Sequence, residues 1–212
     1  MNFVNQLNMD TQLERNMRIT LFIIKVALAA FIFSLAFKNF ADIAKGLEID
    51  GFSETEKTSL GFPRIYMNDT MAGGQTIATQ TLENGMLIIE GKITPPRGQL
   101  GWLSTVLPVA NEGEVKDFSE YKGLVIRVKL KQGNLSISAN SADIQNFDFH
   151  ASQVVVPLDN KFHNITIPFE SMKRAWSEQT PLNEKTINSI SIVAYSLQPE
   201  LVNFAIDSVS LY

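Results

Sequence analysis

The chain has 212 residues, no cysteine, two histidines, and 18 basic against 22 acidic side chains for a net charge of −4. Its length argues one domain of ordinary size, and the missing cysteine excludes a disulfide framework, a thiolate nucleophile and any zinc or iron–sulfur site built on thiolates. With His150 and His163 alone, a three-imidazole site is also excluded, and the mild acidity gives no general attraction to phosphate backbones, so no nucleic-acid partner is expected.

Ile19 to Phe37 reads ITLFIIKVALAAFIFSLAF, nineteen residues with a single charge at Lys25. That is close to the roughly 20 residues that span a hydrocarbon core as a helix. Two readings compete. Either the segment is an uncleaved anchor whose Lys25 snorkels toward the interface, or Lys25 ends an n-region and Ser34-Leu35-Ala36 precedes a signal cleavage point. A buried core helix fits less well, because the run is apolar on every face. Arg15, Arg18 and Lys25 favour a cytoplasmic N-terminus, so residues beyond the span are expected across the membrane. The expected organisation is a cytoplasmic segment at 1–18, a transmembrane or signal helix at 19–37, a linker at 38–61 and a domain at 62–212. The chain beyond residue 37 holds 15 basic and 20 acidic groups, net −5.

Within the domain the apolar signal has period two. Leu124, Ile126, Val128 and Leu130 alternate with Val125, Arg127 and Lys129, and Leu135, Ile137 and Ala139 alternate with Ser136, Ser138 and Asn140, which predicts two strands with one face in a core. Lys131-Gln132-Gly133-Asn134 between them is a hairpin turn. Further strands are predicted at Met86–Ile93, Leu100–Leu107, Gln153–Val156, Phe162–Ile167, Ile187–Tyr195 and Leu201–Tyr212. Phe169–Trp176 could make one or two helical turns, with Ser171 as a cap. This spacing of short strands predicts an all-β, jelly-roll-like sandwich.

The most unusual string is Tyr66-Met67-Asn68-Asp69-Thr70-Met71-Ala72-Gly73-Gly74-Gln75-Thr76. Paired glycines permit close approach of a partner or of another strand, and Asn and Asp bond nearby backbone amides in turns. Asn68, Asp69, Gly73 and Gly74 therefore form either a ligand or partner loop or a structural turn at the domain entrance. No Gly-Lys-Ser/Thr ending follows, so the glycines are not a phosphate loop.

Here the sequence resembles the complex I intermediate-associated protein 30 family. Asn68–Thr76 resembles its opening motif, with Ala72 where methionine is usual. Gly85–Lys92, Phe118–Val128, Phe162–Phe169 and Phe204–Val209 are similar to its later segments in the same order, with Phe162 where tryptophan is usual. The resemblance implies a galactose-binding-like jelly roll and a chaperone-like role in assembling a membrane complex, as known for respiratory NADH dehydrogenase.

Trp102 and Trp176 are the two tryptophans. Each could be a sugar platform or a core ring. Phe147-Asp148-Phe149-His150 reads as a rim loop or, more simply, as two core phenylalanines with Asp148 and His150 facing water. Asp148 with His150, and Glu170 or Glu178 with His163, are the pairs available for acid–base chemistry, but none has the spacing of a nucleophile elbow or metal helix. Asp207 could contribute to a calcium site, or bond backbone near the domain's end. The sequons at Asn68, Asn134 and Asn164 matter only in a glycosylating host. No catalytic set and no cofactor are predicted. The expected function is a non-enzymatic, membrane-tethered assembly or scaffold module, with Asn68, Asp69, Gly73, Gly74, Trp102 and Trp176 as candidate contacts. The alternatives are a glycan-binding module and a polysaccharide hydrolase using Asp148, Glu170 or His150. Cleavage of the N-terminal segment would make the protein secreted; otherwise it is anchored with an extracytoplasmic domain.

Overall fold

The computed structural model describes residues 46–212. The predicted membrane or signal helix at 19–37 and the segment before it lie outside the described residues. Among the described residues, eleven strands form two antiparallel sheets. The six-stranded sheet runs β3 (Ile77–Glu83), β4 (Met86–Ile93), β11 (Glu200–Leu211), β6 (Gly123–Gln132), β9 (His163–Pro168), with β1 (Glu48–Asp50) beside the far end of β11. The five-stranded sheet runs β2 (Ile65–Asn68), β5 (Gly101–Pro108), β10 (Ile187–Ser196), β7 (Asn134–Ser141), β8 (His150–Gln153). Most neighbours in each sheet are distant in sequence, which gives a jelly-roll-like sandwich.

Period-two patterning places the core. Leu87, Ile89, Leu124, Ile126, Val128, Phe204 and Ile206 of one sheet face Leu103, Leu107, Leu135, Ile137, Ile190 and Ile192 of the other, all essentially inaccessible. Each such side chain contributes about 1.5–3 kcal/mol on burial. Gly133, at φ 102°, carries the chain from β6 in one sheet to β7 in the other, so the expected hairpin is instead a crossover between the sheets.

Several expectations need correcting. Residues 46–61 are not linker: Ile49 and Phe52 are core residues and β1 pairs with Ser210 and Val209, so the final strand recruits the domain's first one. β2 and β3 are absent from the predicted elements. They are edge strands whose exposed positions carry apolar or Thr residues, so no clean alternation marks them. The signal that finds β3 is Asn84-Gly85, both at positive φ, which closes the β3–β4 hairpin. β8 occupies His150–Gln153 rather than 153–156. The predicted helical turns shrink to a 3-10 turn at Phe169–Ser171, and the Ser171 hydroxyl donates to the Pro168 carbonyl instead of capping a helix.

The entrance segment is held by a buried ion pair. Arg64 binds both oxygens of Asp50 through Nε and Nη2, and its Nη1 donates to the Glu54 carbonyl oxygen at 2.7 Å. The Phe52 amide donates to Asp50 Oδ1, and the guanidinium lies 5.2 Å from the Phe52 ring centre. Removing one member of a buried pair strands the other. Asp50→Ala should therefore destabilise the full chain by about 3–5 kcal/mol in equilibrium urea unfolding; a loss of less than about 1 kcal/mol would show that the pair does not hold the entrance.

Candidate functional site

Two buried aspartates organise the loops that the sequence singled out. Asn68 Oδ1 accepts from the Thr70 amide (3.1 Å) and hydroxyl (2.6 Å), capping a 3-10 turn at Asp69–Ala72 that Gly73 ends at φ 85°. The following Asp69 is fully buried. Its carboxylate accepts from Thr76 N (3.2 Å), Thr76 Oγ1 (2.7 Å) and Trp102 N (3.1 Å). The Gly74 amide closes the loop on the Asp69 carbonyl at 2.8 Å, and a Cβ at Gly74 would lie 2.2 Å from the Asp69 carboxylate. Asp69 and Gly74 are thus an internal clamp, facing protein rather than a ligand, whereas Asn68 lies at the surface side of the loop.

Asp148 does the same at the opposite edge of the five-stranded sheet. Its carboxylate accepts from the amides of Ala175 (2.8 Å), Trp176 (3.1 Å) and Ser177 (2.7 Å). Arg174 donates to the Asp148 carbonyl (3.2 Å) and to Asn146 Oδ1 (3.1 Å), and Asn146 donates to Ser177 Oγ (2.9 Å). Burial pushes the Asp148 pKa up, but the Ser177 hydroxyl and the three amides outweigh it and hold the carboxyl below its usual range. The expected orientation of this loop is reversed: Asp148 and His150 are buried, while Phe147 is 80% exposed at φ 61°. Packing against a partner strand would have hidden the phenylalanines; the carboxylate's demand for donors turned the loop over instead. Trp176 is 70% exposed.

Each tryptophan is therefore fixed through its backbone amide by a buried carboxylate. Trp102 lies on the outward face of the five-stranded sheet, directly across from Tyr195 on β10. Cross-strand register extends this face through Ser104, Val193 and Ser136, and through Val106, Ser191 and Ser138. Ser104, Ser138, Asn140 and Ser191 are nearly inaccessible although they point away from the core, so small polar side chains form a tightly packed floor beside the half-buried Trp102 and Tyr195. Asn140 ties this floor together, accepting from Ser138 Oγ (2.8 Å) and donating to Ser189 Oγ (3.0 Å) and Ser191 Oγ (2.7 Å).

The family model for complex I intermediate-associated protein 30 matches residues 52–206. The chain belongs to that family. No curated protein matches it. Among solved structures it is similar to the family 11 carbohydrate-binding module of the cellulase Lic26A-Cel5E of Clostridium thermocellum, at TM-score 0.55 and 16% identity over 78% of this chain and 93% of that one. The same module in complex with a β-1,3-1,4-mixed-linked tetrasaccharide is similar at TM-score 0.55, 16% identity, 78% and 94% coverage. The agarase AgWH50C is similar at TM-score 0.50 and 11% identity, over 77% of this chain and 24% of that one. These likenesses establish the sandwich fold that the family domain adopts here.

The acid–base candidates of this family member do not assemble. Both Asp148 oxygens are occupied by backbone amides, and His150 Nε2 donates to the Thr180 carbonyl oxygen at 2.6 Å, leaving Nδ1 with no partner among the described residues. His163 bonds exposed Asp159 at 2.9 Å rather than Glu170 or Glu178; the His163 hydrogen bond lowers the Asp159 pKa, with burial opposing. Asp207 pairs with Arg127 at 3.1 Å instead of backbone, and among the described residues no three His, Asp or Glu side chains converge for a metal ion. Tyr195, Ser138, Asn140 and Ser191 were not anticipated as site residues. Period two marked their face as outward, and only the register placed them beside Trp102.

Two outcomes follow from the clamps. Gly74→Ala should cost about 1–3 kcal/mol by overpacking, read as a lowered Tm with the fold otherwise intact. Because the folded Asp148 pKa is depressed, its contribution is complete above the unfolded value of about 3.9 and is lost as pH falls through the folded value. The stability gap between wild type and Asp148→Asn should be flat from pH 7 to about 5 and shrink below about pH 4 in urea titrations; a gap constant to pH 2 would refute the assignment.

Proposed function

We propose that this protein is a non-catalytic binding module that holds a polypeptide partner during assembly of a membrane complex. The observation that carries the reading is the outward face of the five-stranded sheet, where Trp102 and Tyr195 stand side by side next to a packed serine and asparagine floor. Aromatic side chains set in a small-residue surface are the anchors that concentrate binding energy at protein interfaces. The buried carboxylate beneath Trp102 pre-positions that anchor, which lowers the ordering cost of binding. Family membership supports this class of partner, since the family's name describes a protein associated with complex I intermediates. If the apolar run at 19–37 forms the membrane anchor its length suggests, it would tether the domain on the far side of the membrane and raise its effective concentration near a membrane partner.

One observation favours a second reading. A tryptophan and a tyrosine side by side on an outward face are also the chemistry that stacks a sugar ring, and a similar structure was solved with a bound tetrasaccharide. Affinity purification of the full-length protein from its own membranes, run beside a glycan screen, separates the two. Recovery of one membrane complex, reduced at least tenfold by Trp102→Ala or Tyr195→Ala, is the expected result. Glycan binding with no protein partner would replace assembly by carbohydrate recognition, and turnover of any glycan would overturn the non-catalytic reading.

A further inference from the structure

Exposed strand edges invite pairing, and proteins blunt them with cover, charge or proline. The edge of β8 is covered: Ala151 and Lys173 exchange both backbone hydrogen bonds, at 3.0 and 2.9 Å. β9 ends at Pro168 and starts beside the His163–Asp159 pair. β2 and β3 differ. Among the described residues each pairs on one side only, β2 with β5 and β3 with β4. Neither contains Lys, Arg or Pro, and Glu83 at the end of β3 is their single charge.

These two strands bound the mouth between the sheets, which holds a recess of about 430 Å³ lined by Tyr66, Asn68, Thr70, Met71, Ala78 and Gln80. Its polar groups have a common sense. Gln80 Oε1 accepts from Thr105 Oγ1 at 2.8 Å and Asn68 Oδ1 accepts from Thr70, so the amide nitrogens of both remain as donors without a partner among the described residues. Burial raises the Tyr66 pKa, Arg64 opposing, so its hydroxyl keeps its proton. The neighbouring cation Arg64 is committed to Asp50. Around the recess Met71 is 76% and Ile77 77% exposed. Uncharged donors, adaptable methionine and a free backbone edge complement carbonyl oxygens, apolar side chains and a second backbone edge, the combination an extended peptide presents.

We infer that the free edge of β3, with the recess beside it, docks an uncharged extended segment of a partner polypeptide, which adds as a further strand to the six-stranded sheet and seats an apolar side chain between Tyr66 and Met71. This rests on the polypeptide-partner reading and adds a second contact, at the sheet edges beside the outward face that carries Trp102.

The test uses the full-length protein in its own membranes, with a photo-crosslinking residue at Met71, at Ile77, or at Leu197, which is 75% exposed in the β10–β11 turn. The expected result is the same polypeptide joined at 71 and 77 and not at 197. In the purified complex the amides of 77–83 should exchange at least tenfold more slowly. Thr79→Lys with Thr81→Lys, and separately Met71→Asp, should weaken the complex at least tenfold while circular dichroism stays native. Crosslinks to lipid or to a second copy of this chain, or unchanged exchange at 77–83, overturn the proposal. A complex lost with Trp102→Ala but kept by the edge variants overturns the β3 dock while leaving the binding module standing. Absence of any polypeptide partner overturns both.

Discussion

Asp50, Asp69 and Asp148 are removed from water, and each carboxylate must then collect donors from whatever chain lies near it. Asp50 takes a guanidinium and the Phe52 amide; Asp69 takes both donors of Thr76 and the Trp102 amide; Asp148 takes three consecutive amides of the 175–177 segment. The sheets are held by their apolar faces, and the excursions between strands add a smaller share of the core, Phe52, Phe118 and Phe169 among it. Three of those excursions are shaped by the three carboxylates. A buried acceptor dictates where backbone N–H groups go, and so it fixes loop shape with a directionality that burial of apolar area lacks.

The two tryptophan-bearing surfaces inherit that rigidity. Trp102 stands on a strand whose first turn is tied to Asp69, and the exposed Trp176 stands on a loop tied to Asp148. A binding surface of this type does its ordering during folding, and less remains to be ordered when a partner arrives. The same carboxylates explain why acid–base chemistry is a poor reading of Asp148: an oxygen already accepting amide hydrogens is held ionised and has no free position from which to exchange a proton with a substrate.

The central strands β4, β5, β6, β7, β10 and β11 were readable in advance because both their faces are constrained, one by the core and one by water or a polar floor, and the alternation survives in the sequence. The edge strands β2 and β3 were not, whereas β9, also at an edge, was found within one residue of its place. Ile77, Thr79 and Thr81 face solvent with no charge among them, so β3 shows its presence only through Asn84-Gly85. The Phe147–His150 string was misread for a related reason: period two gives two opposite assignments of faces, and a core phenylalanine looks the better choice until the donors of a distant loop decide for Asp148. Of the candidate contacts, Trp102 and Trp176 stand at surfaces, whereas Asp69 and Gly74 turned inward; composition of the motif does not distinguish a loop that holds a ligand from one that holds itself.

The sequence by itself determined the all-β class, the exclusion of thiol and multi-histidine chemistry, the core-facing residues of the central strands and the resemblance to the family, because each depends on residue type or on near-neighbour spacing. Tertiary structure alone decided that Tyr195 stands beside Trp102, that Asn140 gathers Ser138, Ser189 and Ser191 into one floor, and that β1 closes against β11. Register between strands tens of residues apart, and the partners of a buried carboxylate, are long-range facts: they follow from which chain segments meet, and local pattern carries no record of that.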